Sequence, residues 1–196
     1  MPGPHAAALP LLAHPAAPCA GGLQPRVVLV PDGDGWRLRF TLTGDLNALA
    51  IPEPLPPGPA DGLWQHTCFE AFVGTTGSAA YREFNFSPSG QWAAYRFSAE
   101  RVRDPATERS GHPPVITCER SADTLDLRVW LPPALLPEPA HKAALKIGLN
   151  AVIETRDGQL SYWALQHPRA DRPDFHHPGG WVHRLPPTPS APQRPA

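Results

Sequence analysis

Proline occupies 28 of the 196 positions, and the places it avoids are more informative than the places it fills. It lacks a backbone N–H and fixes φ, so it can neither donate to a sheet ladder nor sit comfortably inside a helix. Residues 64–97 hold a single proline, Pro88, whereas 52–59 (PEPLPPGP) and 186–195 (PPTPSAPQRP) are crowded with it. Central strands therefore belong to the sparse stretch, and loops or tails to the crowded ones. The one helical candidate, around 133–143, is interrupted by prolines and can supply no more than a turn or two.

Period-two alternation with β-branched and aromatic enrichment marks strands at 26–30, 36–43, 64–73, 80–87, 91–98, 114–119, 124–131, 145–155, 160–166 and 181–185. Turn chemistry separates several of them: PDGDG at 31–35, GTTG at 74–77, SPSG at 87–90 and RDG at 156–158. Many short strands joined by tight turns specify an all-β fold, an antiparallel β-sandwich or jelly roll. The length suits one domain, able to bury roughly 70% of its unfolded surface without staples. We expect that domain at 12–186, between a flexible arm at 1–11 and a disordered Pro-rich tail at 187–196.

Lys plus Arg number 17 against 18 Asp plus Glu, a formal net charge of -1. That balance offers no excess to hold phosphate backbones or anionic lipid, so neither nucleic acid nor membrane is an expected partner. The first 22 residues lack a basic region, and prolines break every apolar run. Cys19, Cys68 and Cys118 lie far apart with no zinc-type spacing, which reads as reduced thiols of a cytoplasmic protein. No phosphate-binding loop, dinucleotide fingerprint or serine elbow is present.

Strand parity then assigns faces. On 64–73 the odd set Thr67, Phe69, Ala71 and Val73 is the better core, leaving Trp64, His66, Cys68, Glu70 and Phe72 opposite. Phe84 and Phe86 face the core, leaving Tyr81, Glu83 and Asn85 outside. Tyr95 and Phe97 are expected to face the core and Trp92, Ala94 and Arg96 the other side. On 145–154 Asn150 joins the polar face, and on 160–166 Trp163 is placed outside, away from Tyr162. If these strands are neighbours, Glu70, Glu83, Asn85, Trp92, Arg96, Asn150 and Trp163 share one surface. Two tryptophans among carboxylates, amides and a guanidinium suit a sugar, whose C–H face takes an aromatic ring while planar polar groups bridge its hydroxyls.

The run 63–72 (LWQHTCFEAF), then 81–97 (YREFNFSPSGQWAAYRF), 161–168 (SYWALQHP) and 173–177 (PDFHH), resembles a bacterial DOMON-like family over roughly residues 12–186. The resemblance implies a β-sandwich related to the family-9 carbohydrate-binding modules and to DOMON domains, which bind sugar or haem. Haem-binding relatives use a methionine and a histidine as axial ligands, and the sole methionine here is Met1, so haem would require two histidines instead.

The expected function is therefore non-catalytic binding of a carbohydrate or sugar-containing metabolite, with no cofactor. Trp92 and Trp163 would stack, Glu70, Glu83, Asn85, Arg96 and Asn150 would orient the ligand, and His176 and His177 would border the opening. Two alternatives remain. His167, His176 and His177, with Asp171 and Asp174 between them, are the densest set of potential metal or haem ligands. Glu70 and Glu83 are the carboxylates a glycoside hydrolase would need.

Overall fold

The computed structural model describes residues 6–17, 22–108, 112–137 and 143–186. Along these residues run β1 (Leu9–Pro10), β2 (Leu12–Ala13), β3 (Gln24–Asp32), β4 (Gly35–Thr43), β5 (Gly58–Pro59), β6 (Cys68–Thr75) and β7 (Tyr81–Phe86). They are followed by β8 (Gln91–Ala99), β9 (Val102–Arg103), β10 (Val115–Arg120), β11 (Thr124–Leu131), β12 (Leu145–Glu154), β13 (Leu160–Ala164) and β14 (His183–Leu185). Among the described residues there is no α-helix; the proline-broken stretch yields only a 3-10 turn at Pro133–Leu135. No helix there is long and apolar enough to cross a membrane.

The strands form two sheets, one in the order β1-β3-β4-β11-β10 and one in the order β2-β13-β12-β6-β7-β8-β5, with β14 also pairing β12 and β9 pairing β8. Every pairing is antiparallel except β5 with β8. The fold is thus the expected antiparallel β-sandwich. The hairpin at PDGDG closes with Asp32 opposite Gly35, and Gly33 takes φ +59°, a left-handed conformation that glycine adopts without Cβ strain.

The sheets meet through alternate residues. Leu38, Phe40 and Leu42 of β4 and Leu125, Leu127 and Val129 of β11 pack against Phe69, Ala71 and Val73 of β6, Phe84 and Phe86 of β7, and Leu149 and Ala151 of β12. Phe40 bridges the layers, its ring 5.1 Å from that of Phe69 and 6.5 Å from that of Phe86. Each such ring or branched chain, fully buried, contributes about 1.5–3 kcal/mol.

The outer faces differ, and this difference positions the site. The smaller sheet turns charge to solvent, with Arg39 and Arg128 both on Asp126 and Arg37 on Asp32. The larger sheet is buried on both sides along β6, β7 and β12. Its outer face carries a second apolar cluster of Phe72, Tyr81, Ala93, Tyr95, Phe97 and Trp181, with Leu63 and Phe175 packed against it.

Three expectations need correction, and one lies beyond the described residues. The segment expected as a flexible arm contributes β1 and the buried Leu11 over its described part, so the sandwich begins earlier than residue 12. The expected tail at 187–196, like Met1 and Cys19, lies outside the described residues. Trp64 sits in a 3-10 turn at Leu63–Gln65 ahead of β6 rather than on the strand. The parity of β8 is inverted: Phe84 pairs with Ala94 and Phe86 with Trp92, so Trp92 and Ala94 share the core-side face and Tyr95 and Phe97 point outward.

Candidate functional site

The outer face of the larger sheet is built row by row from its register. Asn150, Glu70 and Asn85 stand side by side across β12, β6 and β7. In the next row Gly148, Phe72, Glu83 and Tyr95 follow one another, and then Gly74, Tyr81 and Phe97. Directly opposed side chains on one face lie about 5 Å apart, so each row is one contiguous surface.

Two glycines in these rows hold a lid in place. A Cβ at Gly148 would lie 2.5 Å from the Trp181 ring and one at Gly74 would lie 2.9 Å from it, so Trp181 rests on bare backbone. Its Nε1 donates to the Phe175 carbonyl at 2.9 Å, and its ring stacks on Phe72 at 6.2 Å. Asp174, buried in the same segment, accepts from Arg101 at 2.8 Å and from Arg169 at 3.1 Å. Burial alone would raise that carboxyl, but the two guanidiniums outweigh it and hold it below the ordinary range. Residues 165–182 thereby fold back over the sheet and bring Phe175 and His176 to it.

Between lid and sheet lies a cleft of about 390 Å³, within the range of small-molecule sites. Its floor is Glu70 and Glu83; Tyr162 and Phe175 line it on the β13 side, and Trp64 and Tyr95 on the β8 side. Trp64 is 42% exposed and meets Tyr95 edge-on at 5.9 Å, so the ring is held but largely open. Arg103 lies 4.3 Å over the Tyr95 ring and is itself clamped by both oxygens of Glu108. Arg101 adopts φ +59°, unusual for a side-chain-bearing residue, and donates its backbone N–H to the Tyr81 hydroxyl at 3.0 Å.

The electrostatics of the floor follow from burial. Glu70 is 2% exposed, and burial first, then the charge of Glu83, pushes its carboxyl well above the usual range. Glu83 is pushed up to about 7 by burial, restrained by a 2.8 Å hydrogen bond from Asn85 Nδ2 and by Arg101 and Arg103. The Tyr81 hydroxyl accepts Arg101 N–H and is hydrogen-bonded to His176 Nδ1 at 2.7 Å, which leaves His176 Nε2 3.7 Å from Glu83 Oε2. Burial and Arg101 lower His176 to about 4, so it is neutral near pH 7. Cys68 is fully buried beneath this row, and burial raises its thiol out of the reactive range.

Of the residues nominated from sequence, Glu70, Glu83, Asn85 and Asn150 are brought together on this face, and His176 joins them from the lid. The others are not. Trp163 is in the sandwich core opposite Ala151, its Nε1 donating to Ser161 Oγ at 3.0 Å. Trp92 and Arg96 point to the core side of β8, and Arg96 reaches the Thr107 carbonyl at 3.0 Å. His177 accepts from Gly179 N–H at 3.1 Å and caps the short turn Pro178–Gly180.

The histidine cluster is dispersed as well: His167 bonds the Leu12 carbonyl at 2.8 Å, and His176 and His177 are engaged as described. Among the described residues no three His, Cys, Asp or Glu side chains are grouped to hold a metal ion. Trp64, Phe72, Tyr95, Tyr162, Phe175, Arg101 and Arg103 were not nominated. For Tyr95 the signal was in the hairpin: the loop 87–91 joins two paired even-numbered residues, Phe86 and Trp92, which fixes even against even.

No family model and no curated protein sequence matches the chain. Solved structures do match in fold. A Bacteroides uniformis ATCC 8492 protein, provisionally described as carbohydrate-binding, superposes with TM-score 0.66 at 16% identity, covering 90% of this chain and 84% of that one. A family-9 carbohydrate-binding module from Caldicellulosiruptor kristjanssonii, solved with glucose, gives 0.57 at 6% identity, over 95% of this chain and 87% of the other. A structure of a family-9 module from the same organism with cellotriose gives 0.55 at 8%, over 96% and 87%. The chain thus shares the β-sandwich fold of these modules.

Proposed function

We propose that this chain is a non-catalytic carbohydrate-binding β-sandwich of the DOMON-like, family-9-related kind, and that the cleft over Glu70 and Glu83 is its ligand site. The observation that carries the reading is a half-open aromatic ring, Trp64, in one cleft with two buried carboxyl groups, Glu70 and Glu83, of which Glu70 has no hydrogen-bond partner among the described residues. An apolar ring for a C–H face and planar groups for adjacent hydroxyls are what a sugar needs. The fold neighbours solved with glucose and cellotriose support the same class of ligand.

Binding is favoured over hydrolysis by where the carboxylates stand. A glycosidase's acid and its partner flank the scissile bond from two sides. Glu70 and Glu83 rise from adjacent strands as diagonal neighbours on one floor, about 7 Å apart at their backbones. The test is a tryptophan-fluorescence titration with glucose, cello-oligosaccharides and other neutral sugars, run beside haemin and a chromogenic glycoside. Saturable change with a sugar, lost in Trp64→Ala and without product release, is expected. Saturation by haemin alone, or product release abolished by Glu70→Gln, would overturn the reading.

A further inference from the structure

The cleft floor carries two carboxyl groups and, among the described residues, no cation paired with them. Arg101 is turned to Asp174 and Arg103 to Glu108, at 2.8 Å and 2.9 Å, and among the described residues neither forms an ion pair with Glu70 or Glu83. His176 lies 3.7 Å from Glu83, and it is neutral near pH 7. Glu70 lines the cleft and has no hydrogen-bond partner among the described residues; beside it on β12 stands Asn150, which is buried, lies outside the cleft lining and finds no acceptor for its Nδ2–H₂ among those residues. Asn85, on the other side of Glu70, already spends its Nδ2 on Glu83.

A ligand that completes this floor must bring several N–H or O–H donors to Glu70 and Glu83. A neutral sugar offers one donor per hydroxyl and no charge. An amino sugar offers more at one atom: its ammonium carries three donors and a positive charge. The surrounding rings, Phe72 and Tyr95 among them, exclude water and strengthen such a pair.

Resting on the carbohydrate reading above, we infer that the cleft selects an amino sugar, its ammonium on the Glu70–Glu83 pair. Binding then expels the proton that the pair retains near neutrality. The groups facing the pair do not confuse that signal. Cys68 is raised well beyond neutrality by burial, Tyr81 is pushed up to about 12, Tyr95 and Arg103 are raised as well, and His176 is lowered to about 4.

Calorimetry of the intact chain with glucosamine, glucose and N-acetylglucosamine, in two buffers of different ionisation enthalpy near neutral pH, tests this. Glucosamine should bind about tenfold tighter than the other two, with net proton release. In Glu70→Gln, shown folded by its thermal transition, the preference for glucosamine over glucose and the proton release should both vanish. Should that variant unfold, N-acetylglucosamine decides, since it removes the charge from the ligand and leaves the protein intact. Equal affinities, or tight glucosamine binding without proton release, overturn the inference and leave the sugar reading standing. If none of the three sugars, nor any other neutral sugar, binds, both fall.

Discussion

Glu83→Gln separates the energetic cost of the site from the rest of the fold. A carboxyl whose ordinary value is 4.5 is held at about 7 in the folded chain because burial disfavours its charged form. Between those values the folded state binds more protons than the unfolded one, so the contribution of Glu83 to stability is fully present below about pH 4.5 and is lost as pH rises through about 7. The change amounts to about 3 kcal/mol. In the wild-type chain His176 works in the opposite sense: its value is lowered to about 4, so its contribution grows as pH rises toward 6.5 and masks the loss.

The informative quantity is therefore the difference between wild type and Glu83→Gln, measured by urea unfolding with tryptophan fluorescence at several pH values between about 5 and 8. A glutamine keeps the shape and an acceptor for Asn85 but does not titrate. Wild type should lose about 3 kcal/mol relative to the variant across that window. Removing the charge of Glu83 also relieves Glu70, which acts in the same direction. A difference that is flat with pH, or that grows in favour of wild type, would show that Glu83 is not held protonated and that the floor is wetter than its burial indicates.

Trp163→Ala should cost about 3–5 kcal/mol in urea unfolding, as expected for a large ring removed from a core, whereas Trp64→Ala, at a half-open ring, should cost under about 1 kcal/mol and act on sugar affinity instead. Trp92→Ala should leave the sugar titration unchanged, because its ring lies on the other face of β8; a weakened titration would contradict that placement. Gly148→Ala, which drives a methyl to 2.5 Å from Trp181, should destabilise by about 1–3 kcal/mol and weaken ligand binding by shifting the lid, to be read by thermal melts and calorimetry together.

How far the sequence spoke depended on whether a strand had two unlike faces. The smaller sheet alternates apolar with charged, as at Leu38, Arg39 and Phe40, so its inner face was legible. On β6 and β12 the carboxylate and amide at Glu70 and Asn150 broke the apolar run and marked the outward side. On β8 both faces are apolar, Trp92 and Ala94 against Tyr95 and Phe97, because the outer one is covered by the lid. Hydrophobic alternation then says nothing about direction, and a one-residue slip turns every side chain over. The same ambiguity on β13, between Tyr162 and Trp163, was decided by space: Trp163 faces the small Ala151. Phe175 and Arg101 reach the cleft from loops, and no periodicity reports on where a loop returns.

The seat of Trp181 on Gly74 and Gly148 carries a consequence for how the molecule behaves in a crowded solution. The lid is latched by one indole, one buried carboxylate and two guanidiniums, and beneath it lie Phe72, Tyr81 and Phe97, with the last two stacked 4.6 Å apart. Opening residues 165–182 would uncover that aromatic sheet face at once, a sticky surface of the kind through which chains self-associate. Amide exchange in this segment and light scattering should therefore rise together when the latch is loosened. The ligand, by bridging floor and lid, would protect the molecule from clumping as a by-product of being bound.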